Sequence, residues 1–153
     1  MDIKTQQYIR DLDSLKTKTE SEDDEEVKSY LVKLLCVRTA GLLEVFLKTR
    51  ISEYSKGKVP TEINRFLTSK FKDITNLKSS KFEDVLTSFS VDWGDKFRDY
   101  LNVHEQEKIS LDSVIAQRHN IAHGQPSNIW SASMVQYYND VKSIVVYLDT
   151  IIR

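Results

Sequence analysis

The sequence predicts an all-α protein. Only four of its 153 residues are glycine and two are proline, which leaves few chain breaks for many short strands. Apolar residues recur at helical spacing along most of the chain. With 40% hydrophobic and 29% charged residues, residues 1–153 are expected to form one globular domain, standing alone or as a fragment of a longer protein.

Two helices are predicted in the first third of the chain. Ile3 to about Lys18 has a weak helical pattern, and the acidic run ESEDDEE then predicts a loop at about residues 19–26. Ser21 with Asp24 resembles a helix cap. The stretch from about Glu25 to Ser55 is apolar around most of its circumference, which predicts a long helix at the centre of the fold.

Three shorter helices are predicted in the middle of the chain. PTEINRFLTSKFKDITN indicates an amphipathic helix with one apolar stripe: Ile63, Phe66, Leu67, Phe71 and Ile74. Ser80 and Glu83 form a capping-box pattern that starts the next helix. The residues of that helix expected to face inward are Phe82, Val85, Leu86 and Phe89. VDWGDKFRDYLNV also has a helical pattern, interrupted by Gly94.

The last third of the chain predicts two more helices. One covers about Ser110 to Ala122 and is stopped by Gly124 and Pro126. The other covers SASMVQYYNDVKSIVVYLDTII, where apolar residues repeat at helical spacing. We expect this closing helix to pack along the long central one.

The net charge of −1 conceals a division of charge along the chain. Residues 1–26 carry nine acidic and four basic side chains, whereas residues 48–81 carry nine basic and three acidic ones. Because a basic segment can attract a polyanion, the candidate polyanion contacts are Lys70, Lys72, Lys78 and Lys81. A solvated lysine-rich surface explains the same charges.

Several kinds of site are not predicted. Four scattered glycines do not form a phosphate-binding loop, and one cysteine with three histidines, without CxxC or HExxH, does not indicate structural zinc. No metal and no cofactor are therefore expected. Cys36, in the apolar run YLVKLLCVR, is interpreted as a buried small hydrophobic residue rather than a nucleophile. Without a membrane-spanning stretch or a signal peptide, the expected location is the cytoplasm.

The stretch QRHNIAHG, residues 117–124, concentrates the candidate chemistry. Arg118 and His123 diverge by about 140° on an ideal helix, but they can converge if the helix ends near His123. Arginine supplies a permanent charge for a phosphate, and histidine transfers protons near neutral pH. The alternative is an ordinary helix end, where Arg118 forms a structural ion pair and His119 and His123 cap carbonyl groups.

RHNIAHG, near the end of a small helical domain, resembles the arginine-x4-histidine signature of the HEPN superfamily, especially its prokaryotic ribonuclease-like branch. Carried over by position, Arg118 and His123 match the fixed ends of the motif, and His119 matches the polar residue after the arginine. Asn120 falls at a variable position and is a supporting candidate. The upstream stretch LLCVRTAGLLEVFLKTRISEY looks like the family's first core helix, with Glu44 as the candidate for its glutamate.

The resemblance implies an up-and-down bundle of four or five core helices with short extra helices. It also implies a homodimer, with two motifs facing each other in one composite site. Many such proteins are metal-independent endoribonucleases, often toxins or effectors of defence against phage. The implied partners are RNA, with tRNA among the candidates, and a regulatory protein such as an antitoxin. HEPN toxins silenced by adenylylation carry a tyrosine two residues after the motif histidine. Here that residue is Gln125, so control of that kind is not expected.

Cleavage of RNA through the 2′-hydroxyl needs a base, an acid and positive charge at the transition state. One copy of His123 cannot readily be both base and acid, but two copies across a two-fold axis can. His119 of the same chain is the alternative second imidazole. Glu44 interrupts an apolar helix, where an unpaired charge is costly. We expect it to orient Arg118, although exposure at a dimer interface explains it equally well.

A second class of function would use the same fold. A non-catalytic HEPN module would bind nucleotide or RNA, or mediate assembly, without cleavage; the intact motif favours the enzyme. His104 is interpreted as a surface residue because no motif surrounds it. Trp93, Trp130, Tyr137 and Tyr138 are expected in the core or at an interface, with base stacking as the alternative.

Overall fold

The computed structural model describes residues 1–153 as seven α-helices without a strand. The bounds of the helices are α1 Ile3–Ser21, α2 Glu25–Ser55, α3 Thr61–Lys70, α4 Ser79–Phe89, α5 Val91–Val103, α6 Glu105–Ala122 and α7 Ser131–Ile151. A 3₁₀ turn, Phe71–Asp73, follows α3. The all-α class predicted from the sequence is confirmed.

The centre of the fold is a bundle of α1, α2, α6 and α7. α2 packs against the other three helices, and its residues Leu35, Leu43 and Phe46 are inaccessible to solvent. α7 lies along α2, as predicted. The helices share one cluster of buried hydrophobic residues. Packing on α2 and α7 therefore fixes the position of α6, the helix that carries the motif.

α4 and α5 form a hairpin that packs against α6. Phe82 and Phe97 join the two helices, with ring centroids 5.1 Å apart, while Phe89 at the end of α4 is 37% exposed rather than inward-facing. A Cβ atom at Gly94 would lie 1.9 Å from Thr87 Oγ1. Gly94 therefore does not interrupt α5 but allows it to approach α4 closely.

Two predictions at the first loop are only partly correct. The loop spans residues 22–24 rather than about 19–26, because α1 and α2 both extend into the acidic run. Asp24 alone caps α2, since its carboxylate accepts from two backbone N–H groups of the first turn, each at 3.0 Å. Ser21 is the last residue of α1 and takes no part in that cap.

The amphipathic helix predicted over residues 60–76 is shorter and less buried than expected. α3 ends at Lys70 and contains no buried residue. Ile63 and Phe66 are 48% and 58% exposed. The residues that reach the core lie in the connection after the 3₁₀ turn, where Ile74 is buried together with Leu77, which the pattern did not single out.

The capping box predicted for α4 is not formed. Ser80 lies inside α4, which begins at Ser79. Asp112 of α6 holds this helix start instead, because its carboxylate accepts from the backbone N–H of Ser79 at 2.7 Å and from its hydroxyl at 2.9 Å. α6 itself begins at Glu105, a turn earlier than the predicted start near Ser110.

Candidate active site at the end of α6

α6 ends within the motif because Gly124 adopts a left-handed conformation, with φ of +65°. The N–H of Gln125 donates to the carbonyl of Asn120 at 2.8 Å, and the N–H of Gly124 donates to that of Ile121 at 3.2 Å. This is the Schellman arrangement of a helix C-terminus. Backbone donors therefore cap these carbonyls, and the histidine side chains are not needed for that role.

His119 and His123 lie together on the exposed side of this helix end. Their ring centroids are 4.4 Å apart, and the ring planes are inclined by 51°. His119 is within α6, whereas His123 is the residue that follows its last turn, with φ of −99° and ψ of 12°. The four-residue spacing thus brings two exposed imidazoles next to each other, where both can reach one substrate.

Arg118 is half-buried, and its guanidinium is bound to the connection that precedes α4. Its Nη1 donates to Oδ1 of Asn76 at 2.6 Å. Because this partner is a neutral amide, the bond does not compensate the positive charge. The structural ion pair considered for Arg118 is not formed, so the charge remains available to an anion.

The segment that carries Asn76, residues 74–79, is fixed along its length. Its apolar residues are buried, and its last residue is held by α6 through the α4 cap described above. Lys81 Nζ donates to the carbonyl of Thr75 at 2.6 Å. Asn76 is the one non-glycine residue in the chain with positive φ, 52°. The segment is thus a well-anchored neighbour of the motif.

A pocket of about 360 Å³ lies between the 74–79 segment and α6. It combines amide, ammonium and imidazole groups with a small apolar part. Its lining consists of Asn76, Lys78, Ile115, Ala116, His119 and Asn120. Such a concave surface can contact a phosphate through its donors and a base through its apolar part. Three of the predicted site residues, Lys78, His119 and Asn120, contribute to it.

Glu44 does not reach Arg118 within the chain, contrary to the prediction. Its carboxylate lies 3.9 Å from Nζ of Lys48, one turn further along α2. Arg38, another charged residue of α2, lies 3.7 Å from the carboxylate of Asp11 in α1. Both charges are partly exposed at the edge of α2 and have local partners, so neither needs the motif to compensate it.

The four candidate lysines have different surroundings. Lys78 is exposed and lines the pocket beside the motif. Lys81 is bound to the 74–79 segment. Lys70 and Lys72 are exposed at the end of α3 and in the 3₁₀ turn, and Lys70 lies over the ring of Phe66. Lys78 is thus the one candidate lysine that lines the pocket.

The remaining histidine and the aromatic candidates lie in several environments. His104 is exposed and directly precedes α6, at the opposite end of that helix from the motif. Trp93 and Tyr138 are buried, as a core role predicts, and Tyr137 is half-buried. Trp130 is 79% exposed at the start of α7. Base stacking therefore stays open for Trp130 in particular.

Cys36 is buried among core residues of α2. Burial raises the pKa of its thiol to about 12, which agrees with its interpretation as a small core residue. No cluster of three or more histidine, cysteine, aspartate or glutamate side chains is placed to hold a metal ion. None of the helices has the length and apolar character that a membrane span requires.

Asn76 is the residue beside the motif that sequence reasoning missed. Asparagine tolerates positive φ better than most residues, so TNLKSS could have been interpreted as a turn. No sequence pattern connects Asn76 with Arg118, which lies 42 residues later. The contact depends on where the 74–79 segment lies against α6, and this is decided by tertiary packing.

Comparison with known protein families gives a match over nearly the whole chain. The chain matches the RiboL-PSP-HEPN family over residues 3–153. That range contains the whole bundle, the 74–79 segment and the motif. No significant match is found among curated proteins or among solved structures.

Proposed function

The chain belongs to the RiboL-PSP-HEPN family, and from this premise we propose that it is an endoribonuclease that cleaves RNA through attack of a 2′-hydroxyl on the adjacent phosphate. The family implies a HEPN ribonuclease and an RNA substrate. The observation that carries the proposal is the pair of exposed, adjacent imidazoles of His119 and His123, at the end of the helix that also carries Arg118. These side chains match the chemistry that such a cleavage needs.

In the proposed reaction, one imidazole takes the proton of the 2′-hydroxyl, and the resulting oxygen forms a bond to phosphorus. The bond from phosphorus to the 5′-oxygen breaks, and a second imidazole protonates that leaving oxygen. General acid–base catalysis of this kind contributes about 10²- to 10⁴-fold. Arg118 would stabilise the charge that develops on the phosphate oxygens. The products are a 2′,3′-cyclic phosphate and a 5′-hydroxyl, without a step that requires a metal or cofactor.

The proposal includes a homodimer in which two motifs form one composite site. His119 and His123 are exposed in the single chain, so a second copy of α6 could approach them. A two-fold axis would then place two copies of His123 and of Arg118 around one phosphate. Proton abstraction and donation could be divided between protomers in that arrangement, or between His119 and His123 of one chain.

RNA would reach the motif along its lysine-lined side. Lys78 lines the same pocket as His119. There, its ammonium group can bind a neighbouring phosphate as a point charge. Lys70 and Lys72 are exposed further from the pocket and could extend this path, whereas Lys81 supports the 74–79 segment. Asn120, also in the pocket, would contact the nucleotide rather than transfer a proton.

The biological role we propose is that of a toxin or an effector of defence against phage, with tRNA among the candidate substrates. A partner protein such as an antitoxin would control it. Gln125 occupies the position at which adenylylated HEPN toxins carry tyrosine, which supports control by binding. Residues 1–153 would form one domain, because every helix except α3 contributes residues to a single core.

The test compares purified wild type with His123→Ala in EDTA, on labelled total tRNA and on a generic single-stranded RNA. The matched control is His104→Ala, which removes an exposed histidine from the other end of α6. We expect the wild type and His104→Ala to cut equally and to leave cyclic phosphate or 3′-phosphate ends. His123→Ala should lose at least about 100-fold of the rate.

Other outcomes would contradict the proposal. Equal cutting by wild type and His123→Ala would show that the activity does not depend on the motif. If neither protein cuts but the wild type binds RNA, the function is that of a non-catalytic binding module. Cleavage of the matching DNA at the same rate would exclude the 2′-hydroxyl as nucleophile.

A further inference from the structure

We propose that Asn76 is a positioning residue for Arg118: its side-chain carbonyl holds the guanidinium in the orientation that binds the reacting phosphate. The inference rests on the proposed function. It concerns a residue outside the motif, in a segment that precedes α4. Asn76 would act through Arg118 and would not itself transfer a proton.

The first support is the geometry of the contact. Nη1 of Arg118 donates to Oδ1 of Asn76 at 2.6 Å, a short distance for such a bond. An arginine side chain has several rotatable bonds, and holding it in one orientation costs conformational entropy. Because Asn76 is already in place, this conformational entropy is lost when the protein folds and not when RNA binds.

The second support is the backbone of Asn76. Its φ of 52° is the one positive value among non-glycine residues. Most residues are strained in this region by about 1–2 kcal/mol, whereas asparagine is tolerated better. The turn itself would accept glycine at no steric cost. The backbone requirement is therefore met by asparagine or by glycine, and only asparagine also supplies an acceptor for Arg118.

The third support is the way the 74–79 segment is anchored. Asp112 and Arg118 both belong to α6, and each binds the segment, through Ser79 and Asn76 respectively. Lys81 Nζ adds a bond to a carbonyl of the segment at 2.6 Å. The backbone of Asn76 is therefore held close to the helix that carries the motif, and its exposed side chain is held there by the bond to Arg118.

The neutral side-chain amide of Asn76 also suits a residue that positions Arg118. A carboxylate would orient the guanidinium but would offset its charge and compete with a phosphate. The neutral amide accepts one hydrogen bond and leaves the full positive charge. Because a guanidinium has several N–H donors in a fixed plane, Arg118 can keep its bond to Asn76 and bind a phosphate with its other donors.

The test uses Asn76→Gly and Asn76→Asp. Glycine keeps the left-handed turn but removes the acceptor, so we expect unchanged thermal stability and a kcat about 10- to 100-fold lower. Aspartate restores the acceptor and also tolerates positive φ, so kcat should be higher than in Asn76→Gly, but below the wild-type value because the carboxylate offsets part of the guanidinium charge. Its negative charge should raise KM for RNA. If Asn76 only stabilised the fold, Asn76→Gly and Asn76→Asp would not affect kcat and KM in these different ways.

A double-mutant cycle tests whether Asn76 acts through Arg118. In an Arg118→Ala background, Asn76→Gly should cause no further loss of activity, because the side chain that it positions is absent. Additive losses would overturn the inference and indicate a direct contact of Asn76 with the substrate. Cleavage by Asn76→Gly at the wild-type rate would also overturn it, while leaving the proposed function intact.

A measurement without RNA tests the positioning role of Asn76 separately from the proposed ribonuclease activity. In ¹⁵N-labelled protein, the guanidinium N–H groups of Arg118 should exchange with solvent more slowly in the wild type than in Asn76→Gly. A difference supports the holding contact, and equal exchange overturns it. Failure of the wild type to cut any RNA would overturn the proposed function instead, whatever the exchange rates.

Discussion

The imidazole rings of His119 and His123 lie 4.4 Å apart in one chain, so a single protomer contains two groups able to transfer a proton. Base and acid could therefore come from one motif, or from the two copies of His123 in a dimer. The first arrangement needs one intact motif for each active site, whereas the second needs both. The number of intact motifs that an active dimer requires distinguishes them.

If two motifs share one active site, mixing wild type with an inactive subunit should lower the cleavage rate as the square of the wild-type fraction. When wild type and His123→Ala are unfolded and refolded together in equal amounts, about a quarter of the dimers contain two intact motifs. The rate per total protein should fall to about a quarter for a shared site, and to about half for independent motifs. Mixing with His104→Ala should leave the rate unchanged, and a linear dependence on the wild-type fraction would contradict the shared site.

The glycine that ends α6 provides a second prediction. Gly124 has φ of +65°, and the control Gly57 has φ of +73°; an added Cβ would meet nothing within 4 Å at either position. Alanine should therefore destabilise both variants by about 1–2 kcal/mol through the backbone alone. Gly124→Ala should also lose about tenfold or more in cleavage, because His123 directly precedes it. Thermal melts and RNA cleavage at a temperature where both variants are folded would check this, and equal activities would contradict it.

Much of the fold was predictable because it follows from local pattern. The long apolar stretch of α2 and the repeat in α7 give helices in the expected places. The end of α6 was predictable for the same reason, since Gly124 adopts the conformation that glycine favours. Arg118 and His123 could be named from their spacing and from the resemblance, because both belong to one continuous stretch.

The parts that could not be predicted depend on contacts between distant residues. The start of α4 is held by Asp112, which follows Ser79 by 33 residues, so the local capping-box pattern gave the wrong answer. The predicted partner of Arg118 was Glu44, a residue whose charge needed compensation. Glu44 has a partner one turn away in its own helix, and a connection without regular structure supplies the contact to Arg118.

Glu44→Gln should leave cleavage within about twofold of the wild type. The ion pair of Glu44 with Lys48, at 3.9 Å, is partly exposed, and such pairs contribute about 0.5 kcal/mol or less. Arg118 keeps its bond to Asn76 in this variant. Cleavage rates and thermal melts of Glu44→Gln beside Lys48→Met would check the expectation. A loss of activity confined to Glu44→Gln would show instead that the carboxylate reaches a motif, across a dimer interface.

Lys78→Ala should weaken RNA binding more than removal of a lysine far from the pocket. Lys78 lines the pocket with His119, so its loss should raise KM several-fold and leave kcat nearly unchanged. The slope of log affinity against log salt should fall by about one, as for one lost phosphate contact. The control is Lys108→Ala, an exposed lysine near the start of α6. Equal salt slopes for the two variants would contradict a role of Lys78 in binding phosphate.

Asp13 predicts a pH dependence of stability that is separate from the motif. Burial raises the pKa of its carboxyl, but hydrogen bonds from Lys142 and Tyr138 outweigh burial and hold the pKa below its ordinary value of 3.8. Because the pKa of Asp13 is lower in the folded than in the unfolded protein, the ionised carboxylate stabilises the fold at pH values above the unfolded-state pKa. This stabilisation is lost as the pH falls through the folded-state pKa.

At pH 7, Asp13→Asn should therefore lower the free energy of unfolding by about 1 kcal/mol, a small value because the carboxylate is partly exposed. The difference from wild type should stay constant down to about pH 5 and disappear below the ordinary pKa of the group. Urea unfolding across this range measures it. Asp11→Asn is the matched control on the same helix, since Asp11 is exposed and 3.7 Å from Arg38, and its effect should be smaller. A difference between wild type and Asp13→Asn that grows on acidification would contradict the assignment, because it would require a raised pKa in the folded protein.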